Sequence, residues 1–152
     1  MQIIWGGASA PDVNAGISEF VSLNVPGCER GFGPCATMGV VRDSVLIAGI
    51  VYHNWSPETG VIEISGAATD SRWLTRQTLR AMFSYPFDEI SCQMVVARHS
   101  EHNARLRRMW RAVGSSEFVI PRLMGRNEAM VVSTLTDDAW RKWIDRPKSC
   151  GV

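Results

Sequence analysis

The stretch VVARHSEHNARLRRMWRAVG, Val95 to Gly114, changes period in its middle. Val95, Val96 and Ala97 close a nearly continuous apolar run that begins at Glu89 (EISCQMVVA), the composition of a buried strand. Beyond it Leu106, Met109, Trp110 and Val113 recur at i, i+3, i+4 and i+7, which is one face of a helix. Ser100 is the expected N-terminal cap and Gly114 the expected stop. Arg105, Arg107, Arg108 and Arg111 lie off the apolar stripe. A strand feeding directly into an amphipathic helix makes this half of the chain α/β.

Working outward, Asp70 or Ser71 is positioned to cap a helix running to Tyr85 and closed by Pro86. Leu74, Thr78, Ala81, Met82 and Tyr85 form one face of it, and Arg72, Arg76 and Arg80 another. Further back, QIIW reads as a strand, and Pro11 opens a helix carrying Val13, Ile17, Phe20 and Val21 until Pro26-Gly27 ends it. CERGFGPC, Cys28 to Cys35, is loop. ATMGVV, VLIAGIVYHN and GVIEISGAAT form a three-strand meander, turning at Arg42-Asp43-Ser44 and at WSPETG. Downstream of Gly114, EFVIP and AMVVSTL are strands separated by a turn at RLMGRN, and Asp137 caps a last helix with Trp140, Trp143 and Ile144. The 152 residues make one mixed α/β (α+β) domain, a mostly antiparallel central sheet flanked by helices.

The totals exclude several classes. With 45% hydrophobic and 20% charged residues, the chain has a globular composition. It lacks the roughly 18 consecutive apolar residues of a membrane span. MQIIWGGASAP has no basic start followed by an apolar core, so a cytoplasmic protein is expected. Cys28, Cys35, Cys92 and Cys150 form no CxxC pair and have no histidine at ligand spacing, so no metal is expected. The net charge of +1 is uneven: Arg72 to Arg111 holds eight arginines against three acids, a segment charge of +5, which leaves −4 elsewhere. That asymmetry points to a localised anionic partner.

The element order, with LRAMFSYPF (Leu79 to Phe87), VVARHSEHNARL and STLTDDAW, resembles the GNAT acyltransferase superfamily, and within it the RimJ/RimL-like branch that acetylates amines. In the second fragment Ala97 stands six residues before Asn103, as in the family. The family's acetyl-CoA loop is Gly-rich, of the form G-x-G-x-A; the matching positions here are Ser71, Trp73 and Thr75. The loop works because successive backbone N–H groups at a helix N-terminus face a pyrophosphate, aided by the helix dipole. The resemblance therefore implies acetyl-CoA as co-substrate, held by the backbone of Ala67, Ala68 and Thr69 against the pantetheine arm, by Arg72, Trp73, Leu74, Thr75 and Arg76 at the helix start, and by Asn103. Arg72 and Arg76 are the expected partners for phosphate oxygens.

Acetyl transfer to an amine needs a base for the amine and a proton for the departing thiolate. Glu63 alternates with Ile62 and Ile64, so it faces either the substrate cleft or solvent; in the cleft it draws the proton through water. Trp110 stands where other branches carry a catalytic Tyr, and Tyr52 is the substitute donor. His53, at a strand end beside Trp55, is either a base or structural. Two other classes compete. The +5 segment fits a nucleic-acid-associated or nucleobase-modifying protein, and the altered loop fits a GNAT scaffold kept as a binding module. A homodimer is compatible with the sequence.

Overall fold

The computed structural model describes residues 1–147; Cys150 lies outside the described residues. Among these the chain forms seven strands and four α-helices, in the order β1 (Gln2–Gly6), α1 (Pro11–Asn24), β2 (Cys35–Arg42), β3 (Val45–Ser56), β4 (Val61–Ala68), α2 (Arg76–Ser84), β5 (Met94–Ser100), α3 (Ala104–Ala112), β6 (Ser116–Gly125), β7 (Glu128–Thr136) and α4 (Asp137–Ile144). This is the mixed α/β class read from the sequence. The described residues pack as two compact units, one of Met1–Trp55 with Ile62–Met82, the other of Ser56–Val61 with residues 83–147.

In the first unit the strands run β1-β2-β3-β4. β1 pairs antiparallel with β2, and β2 with β3. The tight turn between β2 and β3 places both Asp43 (φ 51°) and Ser44 (φ 64°) in the left-handed region that a two-residue hairpin requires. α1 lays Ile17 and Val21 on this sheet, both buried. Gly39 and Gly49, paired in register, let it come close: a Cβ at Gly49 would sit 2.8 Å from Val21 Cγ2, and one at Gly39 3.0 Å from Ile17 Cδ1.

In the second unit the order is β5-β7-β6, with both pairs antiparallel. β7 alternates buried and half-buried positions along its length, whereas β6 is an edge strand with Phe118, Val119, Ile120 and Leu123 exposed. Trp110, Trp140 and Trp143 are buried in the core of this unit. Phe83 meets Trp110 edge-on at 5.3 Å and Trp140 at 5.2 Å, and Trp140 stacks on Trp143 at 5.2 Å. Such ring pairs add about 0.5–1.5 kcal/mol each beyond area burial.

Several boundaries differ from the expectation. The helix expected from Asp70 or Ser71 to Tyr85 is broken. Asp70 caps only a 3-10 turn, Ser71–Trp73, and Leu74 is extended (φ −82°, ψ 98°). A new start follows, in which Thr75 Oγ1 accepts from Thr78 N–H (3.1 Å) and Thr78 Oγ1 accepts from Thr75 N–H (2.9 Å), a reciprocal box that sets the first residue of α2 at Arg76. Arg72 is thereby removed from the face shared by Arg76 and Arg80. Pro86 does not end the helix but sits in a π turn, Tyr85–Glu89.

The strand expected from Glu89 starts only at Met94. Ser91 is left-handed (φ 56°) and the Cys92 N–H donates back to Pro86 O (2.8 Å), so Ile90 and Cys92 close the helix end instead. Ser100 belongs to β5, and the cap of α3 is Asn103; likewise Thr136, not Asp137, caps α4. RLMG of the expected turn is strand, and the hairpin turns at Arg126-Asn127.

Candidate active site

The polar cluster of the first unit stands on β3 and β4. Because side chains alternate along a strand, Ile62 and Ile64 go into the core, 3% exposed each, while Glu63 and Ser65 share the opposite face. Glu63 Oε1 accepts from Asn54 Nδ2 (3.0 Å), and its other oxygen lies 3.8 Å from His53 Nε2. That same nitrogen lies 2.9 Å from Ser65 Oγ. The Glu63 side chain is only 13% exposed and His53 is buried. Asn54 holds its amide in place from a left-handed backbone (φ 52°), a conformation Asn tolerates better than most residues.

The loop between α1 and β2 approaches this cluster. Phe32 packs its ring 4.9 Å from the His53 imidazole, tilted by 56°. Burial pushes the Cys28 thiol up from its ordinary pKa, and the charges of Glu29 and Glu63 add to it, so the thiol stays neutral beside the carboxylate. A groove of about 460 Å³ opens between the first turns of α1 and Gly33–Cys35. Asn14 holds its wall, donating to Cys35 O (3.1 Å) and accepting from Thr37 Oγ1 (2.9 Å). Cys35 is the register partner of His53. Asn54, Ser65 and Phe32 were not singled out in the sequence. The legible signal was alternation, which puts Ser65 on the face of Glu63.

Tyr52 is not a proton donor in this arrangement. It is 1% exposed, and its hydroxyl donates to Met82 O at 2.6 Å. The hydroxyl is engaged in the core by a carbonyl, which is a structural role.

The expected cofactor residues occupy the end of β4 and the segment leading from it into α2. Ala67 is half-buried and Ala68 exposed. The Thr69 N–H already donates to Ile47 O (2.9 Å), so it is engaged within the protein. Arg72 is not an uncommitted phosphate ligand either: its Nε and Nη2 both bond Asp70, the shorter contact at 2.6 Å. The guanidinium holds the Asp70 carboxyl down at about 2, with the Arg72 backbone N–H adding to the effect. Trp73, Leu74, Thr75 and Arg76 are half-buried. The Trp73 carbonyl accepts from Thr78 Oγ1 (2.6 Å), which fixes the turn.

In the second unit, Asn103 is exposed and its Oδ1 accepts from Leu106 N–H (3.2 Å) as the cap of α3. Two of the arginines beyond it converge on one carboxylate. Arg107 and Arg111 both bond Glu117, at 3.1 and 2.9 Å, and hold its pKa at about 2. Among the described residues no group of three or more His, Cys, Asp or Glu has metal-site geometry, and no helix is long and apolar enough to cross a membrane.

No protein-family model matches the chain, and no curated protein matches it by sequence. Solved structures do match in fold. A GCN5-related N-acetyltransferase from Brucella melitensis is 18% identical, with a TM-score of 0.59 over 72% of this chain and 54% of that one. The ribosomal-protein-S5-alanine acetyltransferase of Vibrio fischeri is 14% identical, TM-score 0.59, over 70% and 63%. The yncA protein of Salmonella typhimurium, solved with acetyl-CoA, is 15% identical, TM-score 0.58, over 67% and 64%. The chain thus spans less than two thirds of the length of each of these three. The likeness is one of fold: the protein shares the architecture of GNAT acetyltransferases.

Proposed function

We propose that the protein is an acetyl-CoA-dependent N-acetyltransferase of the RimJ/RimL-like branch, cytoplasmic, moving an acetyl group to an amine of a protein or small molecule. The observation that carries this reading is Glu63: within a fold shared with acetyltransferases, it is a mostly sheltered carboxylate fixed by Asn54 beside an imidazole. Its part lies in removing the proton from the amine, after which the amine nitrogen attacks the thioester carbonyl. The groove beside Cys35 is the entry for the acceptor.

The cofactor falls to the end of β4 at Ala67 and Ala68 and to the segment Arg72, Trp73, Leu74, Thr75 and Arg76. The diphosphate meets the Arg76 and Gln77 amides at the start of α2, which lie outside the i→i−4 ladder. Asn103 contributes through its side-chain amide donor, since Oδ1 is the helix cap. Calorimetric titration with acetyl-CoA tests the proposal, and no binding at millimolar ligand ends it. With binding established, Glu63→Gln should lower kcat about 10²- to 10⁴-fold while leaving acetyl-CoA affinity in place. No structural observation favours the nucleic-acid reading; Arg72, Arg107 and Arg111 hold carboxylates of their own chain.

A further inference from the structure

Glu63 does not stand alone, and the group facing it has the better chemistry for the proton. An ordinary carboxylate titrates near 4.3 and an ordinary imidazole near 6.5, against about 10.4 for an alkylammonium. Proton transfer is most effective when the acceptor's pKa lies near the working pH, which favours the imidazole. His53 Nε2 lies 2.9 Å from Ser65 Oγ and 3.8 Å from Glu63 Oε2, while the second Glu63 oxygen is tied to Asn54. Phe32 covers one side of the ring. Glu63 on β4 is a carboxylate facing the imidazole, and the nearby Cys28 thiol of the loop, which feels the Glu63 charge, is held neutral.

We propose that His53 is the proton acceptor of the reaction and Glu63 the carboxylate that stabilises its imidazolium, the two acting as a pair on an ammonium entering beneath the Cys28–Cys35 loop. This rests on the acetyltransferase reading. The substrate R–NH3⁺ gives one proton to neutral His53, either directly or across the Ser65 hydroxyl. The resulting R–NH2 forms the C–N bond to the acetyl carbonyl, and collapse of the adduct breaks the C–S bond. The second nitrogen-bound proton passes to the departing thiolate, and the imidazolium returns its proton to solvent. The balance is R–NH3⁺ plus acetyl-CoA giving the N-acetyl amine, CoA-SH and one H⁺. A histidine kept only to hold Ser65 would leave the pH profile of the reaction without an imidazole limb.

The test is the pH profile of kcat/KM for the wild type, His53→Gln and Glu63→Gln, alongside an NMR titration of the His53 ring protons in wild type and Glu63→Gln. The expected result is an acid limb in the imidazole range for the wild type. In His53→Gln that limb should be lost or moved into the carboxylate range, with kcat down at least tenfold and acetyl-CoA affinity unchanged. The ring titration should fall in Glu63→Gln, because a neighbouring opposite charge is removed. An active His53→Gln variant with an unmoved acid limb, or a His53 titration indifferent to Glu63→Gln, overturns the pair while leaving the acetyltransferase reading intact. A wild type that neither binds acetyl-CoA nor acetylates any amine overturns both.

Discussion

Pro86 has no amide hydrogen, so the i→i+4 donor that would reach the carbonyl of Met82 is missing. The Tyr52 hydroxyl supplies it at 2.6 Å, from a position 1% exposed. Tyr52→Phe should therefore destabilise the fold by about 1–3 kcal/mol, the penalty for a buried carbonyl left without a donor. It should not move the pH dependence of any activity, and urea unfolding together with a pH–rate profile separates the two readouts. A second buried residue ties stability to pH. His99 lies in the core of the second unit, with Nε2 3.3 Å from Ser133 Oγ and its Nδ1 buried without a partner among the described residues. Burial holds its pKa below the ordinary 6.5, Glu117 opposing and Arg107 adding to the shift. The native state thus favours neutral imidazole while the unfolded chain takes up protons, so this contribution is complete above about pH 6.5 and is lost as pH falls below it. In His99→Gln the slope of the urea midpoint against pH should flatten between about pH 6.5 and 5, the window set by the ordinary imidazole pKa. Neither role was readable from the residue alone: Tyr52 looked like a spare acid because nothing in a sequence says which hydroxyl a proline four residues from a carbonyl will recruit.

Among the elements, α3 and β6 are tied by a carboxylate that two guanidiniums share. Arg107 is 22% exposed, Glu117 16% and Arg111 55%, so the first pair carries most of the interaction and the second is largely screened. Glu117→Gln should lower stability at pH 7 by about 1–2 kcal/mol, above the usual surface value because the carboxylate is sheltered. The Glu117 pKa is held at about 2, so its contribution is present above the ordinary carboxylate range and disappears as pH falls from about 4.5 toward 2. That window lies below the one set by His99, and an acid titration of stability should show two successive losses, the lower one absent in Glu117→Gln. Elements with strong periodicity were legible: α1, the β2–β3 hairpin and the Met109–Trp110–Val113 stripe of α3 fall where the pattern put them. Starts were less so. Two oxygen-bearing side chains competed to begin α2, and the Thr75–Thr78 box won over Asp70, whose carboxylate took Arg72 instead. The Ile90–Cys92 run was apolar enough for a strand, but its burial covers a helix end.

For the whole molecule, fold class was carried by the order of elements and survived every misplaced boundary, because order depends on period and composition while boundaries depend on single hydrogen bonds. The cofactor is a different matter. The segment proposed to hold it is a 3-10 turn, Ser71–Trp73, followed by an extended Leu74 and a late helix start. Amides belong to the backbone, so a displaced helix start still presents donors, at Arg76 and Gln77 in place of the residues after Asp70. This makes ligand linkage a sharper test than any single contact. A ligand bound only by the native state stabilises it by about 2.7 kcal/mol at 100 times its Kd. For a chain of 152 residues, a shift of about 2–4 °C per kcal/mol gives a rise in Tm of about 5–10 °C in acetyl-CoA at that excess. Glu63→Gln should show the same rise, because the proposed part of its carboxylate is in proton transfer and not in holding the cofactor. Arg76→Glu, which puts a negative charge at the first residue of α2, should lose most of it through repulsion of the diphosphate. Equal shifts in wild type and Arg76→Glu would place the diphosphate away from this helix start and leave the cofactor segment assigned to the wrong end of β4.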